Sequence, residues 1–200
     1  MRFKRCFDLF FTVPGFLFLL PFFGIIACWI KLDSPGPVFF RQKRIGQYGK
    51  PFNVLKFRTM VKDAEKKGAK ITVSGDARIT RCGRILRKYK LDELPQLINV
   101  LKGEMSLVGP RPEVPEYVEH YPEEMKKIVL SVPPGITDYA SLEFRNENDL
   151  LKGASDLQAF YINEILPKKL EYYVRYVENR SIIVDFSLII RTIWSILKKT

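Results

Sequence analysis

The chain is poor in the residues that most often carry metal and redox chemistry. It has a single histidine, His120, in 200 residues, which argues against a histidine-based zinc site or a Ser-His-Asp triad. Its three cysteines, Cys6, Cys28 and Cys82, are odd in number and form no Cys-x-x-Cys pair. That argues against a disulfide framework and fits a reducing compartment. No internal repeat or low-complexity tract is present. Acidic residues are the minority charge: 22 Asp and Glu stand against 33 Lys and Arg, for a net charge of +11. Such an excess implies an anionic partner, whether nucleic acid, anionic lipid or a phosphate-bearing substrate. The length suits one domain, or one domain plus an anchor.

Charge is missing altogether from Leu9–Ile30, "LFFTVPGFLFLLPFFGIIACWI", a run of 22 residues. A straight helix of that length crosses a hydrocarbon core of ~30 Å. However, Pro14, Gly15, Pro21 and Gly24 interrupt it, and Pro21 at mid-segment removes a backbone hydrogen bond and bends the helix. Both flanks are basic, with Arg2, Lys4 and Arg5 before the run and Lys31, Arg41, Lys43 and Arg44 after it. The positive-inside rule therefore puts both ends on the cytoplasmic side. A re-entrant helix over residues 1–32, entering and leaving by one face, satisfies both constraints. The rival reading is a lipoprotein signal peptide removed before Cys28.

Residues 33–200 read as a catalytic domain at the cytoplasmic face. "DSPGP" is a turn that ends the anchor. "VFFRQKRIGQYGKPFNVLKFRTM" holds two β-prone runs around "GQYGKP" and predicts a hairpin. Lys56 and Arg58 alternate with Leu55 and Phe57, which gives that strand a cationic face and an apolar one. Residues 60–80 read as surface helix and loop. Ile79, Cys82, Ile85, Leu86 and Tyr89 then fall at helical spacing, with arginines on the other face. Leu94, Leu97, Ile98 and Leu101 mark a second helix that starts near Asp92, tolerates Pro95 in its first turn and stops at Gly103. "SLVGPRPEVPEY" and "VPPGIT" read as stiff turns, the first presenting Arg111. The C-terminal stretch carries an apolar helical stripe from Ile182 to Leu197. It packs either on the core or in a bilayer interface, with Trp194 at headgroup depth. The fold class is α+β: mostly helical, with a small β-hairpin, a re-entrant N-terminal helix and interfacial amphipathic helices.

The adjacent acids Asp92 and Glu93 follow a run of arginines and lysines and admit two readings. In one, Asp92 is a helix N-cap and Glu93 a favourable first-turn charge. In the other they do chemistry on an anion. The helix start and Arg87 favour the ionised form of Asp92. A carboxylate can attack phosphorus without a general base, provided cations offset the repulsion. Arg87, Arg111 and Lys56 are residues of the kind such a site needs, and oxygen ligands suit Mg²⁺.

These motifs together, "PGPVFFRQKRIG", "KFRTM", "LDELPQL", "GPRP" and "PGIT", closely resemble the bacterial sugar transferases, the small monotopic phosphoglycosyl transferases. The resemblance covers nearly the whole chain. It implies transfer of a phosphosugar from a UDP-sugar to polyprenyl phosphate, with release of UMP, at the cytoplasmic face of a bacterial plasma membrane. It implies that Asp92 is the nucleophile of an aspartyl-phosphosugar intermediate, with Glu93 beside it and Mg²⁺ at the pair. It implies phosphate binding by Arg111, and places Arg87 and Lys56 in the same role. Pro21, Trp29 and Trp194 are the membrane residues. The expected partners are the UDP-sugar, polyprenyl phosphate and lipid, with no nucleic acid. Whether the C-terminal helix meets membrane or a second copy in a homodimer stays open. Two departures stand out: Leu20-Pro21 where relatives have Ser-Pro, and "DYASL" (Asp138–Leu142) where many continue "GLAQV". A different class of reading is a membrane-anchored basic protein that binds nucleic acid or anionic lipid without catalysis.

Overall fold

A computed structural model describes residues 2–64, 76–145 and 156–198. Helix α1 runs from Arg2 to Asp33 and contains Pro14 and Pro21. Helical backbone continues through both prolines, each of which removes one intrahelical N–H. Among the described residues this is the one helix long and apolar enough to cross a membrane.

The two ends of α1 pack on the same body. Near its start, Arg5 donates to the carbonyls of Val100 and Leu101, the latter at 2.8 Å. Asp8 accepts from Ser106 Oγ at 2.9 Å and Leu107 N at 3.2 Å. Near its end, Phe23, Ile26 and Ile30 are buried with Phe57, Cys82 and Leu86. Between Thr12 and Phe23 no residue is buried. An apolar stripe through Phe3, Phe10, Leu17, Phe18, Ile25 and Leu32 stays exposed along the whole helix, at the seven-residue spacing of one helix face.

The end of α1 is closed by charge. Arg58 is buried and donates to Ser34 O at 2.7 Å, to Ile30 O at 3.3 Å and to Pro35 O. A cation on the last carbonyls of a helix satisfies groups that have no intrahelical partner. The turn needs glycine at 36: its φ is +128°, and a Cβ there would fall 2.0 Å from the Arg58 guanidinium. Arg58 is thus structural and takes no part in a cationic strand face.

The hairpin forms as expected, with β1 (Phe39–Ile45) antiparallel to β2 (Pro51–Phe57) and Phe40 opposite Lys56. Residues 65–75, which hold most of the expected surface helix and loop, lie outside the described residues. Helix α2 (Arg81–Lys88) begins with two caps: Thr80 Oγ1 accepts from Gly83 N, and Asp33 accepts from Cys82 N, both at 3.0 Å. Helix α3 spans Gln96–Lys102 and ends at Gly103 in the left-handed region.

A second, parallel pair lies where stiff turns were expected. Strand β3 (Ser106–Val108) pairs with β4 (Gly135–Thr137), Ser106 opposite Gly135 and Val108 opposite Thr137. Close approach here requires glycine, since a Cβ at Gly135 would lie 2.0 Å from Gly109 N. Three-residue strands are too short to show the alternation that marks a strand in sequence.

The remaining helices are α4 (Pro115–Val118), α5 (Glu123–Val129), α6 (Tyr139–Glu143), α7 (Leu157–Phe160), α8 (Leu166–Asn179) and α9 (Ile182–Leu197). A five-residue π turn, Tyr161–Ile165, joins α7 to α8. The largest core cluster packs Tyr117, Tyr161, Leu166, Leu170 and Tyr173. Helix α9 shows both faces proposed for it. Leu188 is buried with Val108 and Tyr176, while Ile183, Phe186, Ile190, Ile193, Trp194 and Leu197 stay exposed. The Phe11 and Phe186 rings, 6.4 Å apart, make the outer faces of α1 and α9 continuous.

Candidate active site

After α2 the chain turns at Lys90, which adopts a left-handed conformation with φ 57°, a geometry that costs a non-glycine residue about 1 kcal/mol. A short 3₁₀ turn, Leu91–Glu93, follows and carries both acids. Helix α3 begins only after Pro95, and that helix start has no side-chain cap. Asp92 therefore caps nothing, which removes the first of its two readings, and the helix start expected near Asp92 lies at Gln96. The chain folds so because Pro95 lacks the N–H that a cap two or three residues back would take.

Glu93 is held from two directions. Lys56 on β2 donates to Glu93 Oε1 at 2.8 Å. Arg111, in the loop after β3, grips the same carboxylate with two nitrogens: one to Oε1, the other to Oε2 at 3.3 Å. Lys56, Glu93 and Arg111 thus come together from segments far apart in sequence. Asp92 differs from its neighbour. It is 7 % exposed, and its Oδ1 is buried with no hydrogen-bond partner. Arg87 lies close enough to act on Asp92 electrostatically but makes no hydrogen bond to either acid; its own Nη1 is buried without a partner.

The two carboxylates titrate in opposite directions. Burial alone would raise Glu93, yet Arg111 and Lys56 outweigh it and hold the carboxyl well below the usual range. For Asp92 burial wins and pushes its pKa up, against Lys56, Lys90 and Arg87. The expected lowering of Asp92 is therefore reversed: its environment is drier than a helix start implies. Lys56 is also lowered, chiefly by burial.

Several residues that fix this geometry gave no signal in the sequence. Asn99 on α3 is fully buried. It accepts from Leu55 N at 3.0 Å and donates to Asn53 O at 2.8 Å, which pins β2 on either side of Val54 and so sets Lys56. Beyond Arg111, buried Glu113 accepts from Tyr161 Oη at 2.7 Å and from Arg44 at 3.3 Å. Lys169 extends this chain to Tyr161 at 3.2 Å. An asparagine in "LINVL" and a glutamate after "GPRP" look like ordinary surface residues until the fold buries them.

Among the described residues no group of three or more His, Cys, Asp or Glu stands ready to hold a metal. The dyad offers two carboxylates, one with a bare buried oxygen. That suits Mg²⁺, which takes one or two protein carboxylates and completes its shell with phosphate and water.

The asymmetry predicts opposite effects on stability. Glu93→Gln removes the carboxylate that Lys56 and Arg111 both bind, and we expect a loss of about 2–3 kcal/mol, less than for fully buried pairs because both cations keep some exposure. Asp92 binds its proton more tightly folded than unfolded, so its ionisation costs stability as pH rises through the raised pKa. Asp92→Asn is therefore expected to melt higher than wild type at pH 8, the gap narrowing toward ~pH 4. Thermal unfolding of both variants across that range checks both signs.

A family model described as "Bacterial sugar transferase" matches residues 1–199. The UDP-N-acetylgalactosamine-undecaprenyl-phosphate N-acetylgalactosaminephosphotransferase of Aeromonas hydrophila is 37 % identical over 196 residues, which cover 97 % of this chain and 43 % of that protein. The UDP-glucose:undecaprenyl-phosphate glucose-1-phosphate transferase of Escherichia coli (strain K12) is 37 % identical over 96 % of this chain and 39 % of its own length. The chain thus spans about two-fifths of these relatives. The exopolysaccharide production protein PSS of Rhizobium leguminosarum bv. phaseoli is 40 % identical over 96 % of this chain and 94 % of its own length. With the match running through α1, the dyad and α9 alike, the chain belongs to the bacterial sugar transferase family.

Proposed function

We propose that this protein transfers a phosphosugar from a UDP-sugar to polyprenyl (undecaprenyl) phosphate, releasing UMP, as a membrane step of bacterial surface glycan synthesis. The names of the relatives support the acceptor and the class of reaction. The observation that carries the reading is the division within the dyad. Glu93 is fully engaged by two cations, while Asp92, next to it, keeps a buried oxygen without a partner.

The mechanism is ping-pong. An oxygen of ionised Asp92 attacks the sugar-bearing phosphorus of the donor. As that bond forms, the bond from phosphorus to the bridging oxygen breaks, and UMP leaves with the electron pair. The phosphosugar is then an acyl phosphate on Asp92. A phosphate oxygen of the polyprenyl acceptor attacks the same phosphorus, and the Asp92 carboxylate departs unchanged. No proton need move in either step, so the lack of a histidine at the site is no obstacle. Arg111 and Lys56 face the developing charge and can lend hydrogen bonds from Glu93 to phosphate. Arg87, with an unpartnered nitrogen near Asp92, is a third phosphate ligand. Asp92 and Glu93 would hold Mg²⁺, which when bound offsets the diphosphate charge. Burial raises the pKa of Asp92 against the cations around it, and the same exclusion of water limits hydrolysis of the acyl phosphate.

The site works at a membrane surface. A spanning helix puts its ends on opposite sides of ~30 Å of hydrocarbon, whereas both ends of α1 here pack on one body and residues 13–22 carry the prolines outward. This supports a re-entrant helix, with the exposed faces of α1 and α9 in lipid, Pro21 deepest and Trp29 and Trp194 near the headgroups. The body then lies at the cytoplasmic face of the plasma membrane.

Two measurements test this. With undecaprenyl phosphate, Mg²⁺ and a panel of UDP-sugars, the wild type is expected to release UMP with one donor. Asp92→Asn should lose at least about 10³-fold in rate while staying folded. Release of UDP in place of UMP would mark an ordinary glycosyltransferase. For topology, cysteines at Arg2 and Lys31 are expected to react with an impermeant maleimide from the same side of sealed vesicles; labelling from opposite sides would establish a spanning helix.

A further inference from the structure

In the sequence Arg44 is one of the basic residues that flank the apolar run of α1. The fold gives it a different place. Arg41 and Lys43 of β1 are exposed, whereas the Arg44 side chain is 20 % exposed and turned onto the loop after β3. Its Nη1 donates to Pro112 O at 3.1 Å and to Glu113 Oε2 at 3.3 Å. Its Nε and Nη2 both donate to Gln42 Oε1, at 3.2 and 2.7 Å. Gln42 lies two residues back on the same strand face. One edge of the guanidinium is thus held by its own strand, and the other edge holds the two residues that follow Arg111.

Arg111 stands between Pro110 and Pro112, which have fixed φ and no N–H to donate. On the β3 side the loop is anchored by Gly109 N on Thr137 O at 3.0 Å and by Gly135 N on Pro110 O at 2.9 Å. On the other side the anchors are Arg44 on Pro112 O and Ile45 N on Glu113 O, the latter at 3.0 Å. The buried Glu113 side chain completes them, accepting from Arg44 on one oxygen and from Tyr161 Oη of the π turn at 2.7 Å on the other. A partly open hollow of about 260 Å³ lies against the loop, lined in part by Pro110, Arg111, Pro112, Glu113, Val118 and Leu130. Packing therefore leaves the loop room to shift, and its two ends decide where Arg111 stands.

We propose that Arg44 and Glu113 form a clamp on the far end of this loop, and that Arg44 is a positioning residue for Arg111. The clamp sets the point from which the Arg111 fork reaches Glu93 and, in turn, a substrate phosphate. Arginine suits the task because its planar fork reaches a backbone carbonyl, a carboxylate and an amide oxygen together, which the compact ammonium of lysine does not. This inference rests on the reading that Arg111 binds phosphate.

The test takes Arg44→Gln and Glu113→Gln, each alone and combined with Arg111→Gln, and follows UMP release in detergent, per folded protein and well below each Tm. Gln at 113 keeps an oxygen for Tyr161, so that variant serves if Arg44→Gln folds poorly. Arg44→Gln is expected to lower kcat/KM about tenfold, and Glu113→Gln about threefold, the scale of a misplaced binding group. In the Arg111→Gln background either change should alter kcat/KM by less than about twofold, because the group being positioned is gone. Hydrogen exchange over residues 109–114 should quicken in both single variants. Binding to vesicles of phosphatidylglycerol and phosphatidylethanolamine should stay as in wild type, where loss of a headgroup contact costs about fivefold. An unchanged kcat/KM, or an equal loss with and without Arg111, would overturn the proposal. So would weaker vesicle binding with full activity in detergent, which would make Arg44 a headgroup contact. If the wild type releases no UMP with any donor, the functional reading falls, and exchange still decides the clamp: unchanged exchange over 109–114 would overturn it.

Discussion

One carboxylate answers two cations, and the site depends on that arrangement. Lys56 and Arg111 both need a counter-charge in a place with little water, and Glu93 supplies it to both. A pair of this kind adds little net stability, since desolvation cancels much of the attraction. What it adds is position. It draws β2, the dyad turn and the loop after β3 to one point, and it leaves Asp92 free. Were the cations shared evenly between the two acids, neither would present a bare oxygen.

The scaffold behind this point is built from short pieces made rigid by buried polar side chains. Asn99 stitches α3 to β2, and the three-residue strands β3 and β4 set the loop that carries Arg111. Asp8 ties α1 to the first residues of β3. Lys4 bridges Asp8 and Asp185 at 2.9 and 2.8 Å, which locks α9 to the same place. The two helices with exposed apolar faces are thereby fixed to the strand that leads into the loop carrying Arg111. With those faces in lipid, as proposed, the depth of the protein in the bilayer would set the height of its chemistry above it.

The sequence disclosed what depends on periodicity and hid what depends on burial. The hairpin, α2, α3 and the amphipathic α9 follow from patterns of two and of three to four residues, and each lies where that pattern places it except that α3 starts at Gln96 and not near Asp92. The grouping of Lys56, Glu93 and Arg111 was legible through the motifs "KFRTM", "LDELPQL" and "GPRP" and the family resemblance they carry together. The strands β3 and β4 were not, being too short for a pattern and dependent on partners nearly thirty residues apart. The direction of the Asp92 pKa shift was read with the wrong sign, because a string of letters shows the neighbouring arginine and lysines but not the burial that outweighs them. Asn99 and Glu113 were missed for the same reason.

In the proposed mechanism Asp92, and not Glu93, becomes bonded to phosphorus. Incubating the protein with its UDP-sugar donor and Mg²⁺ in the absence of polyprenyl phosphate, quenching in acid and mapping peptides by mass spectrometry tests this. The expected result is a phosphosugar added to the peptide bearing Asp92, localised to that residue by fragmentation, formed together with one equivalent of UMP and discharged when acceptor is added. An adduct on Glu93, or rapid transfer to acceptor with no adduct at any time, would contradict it.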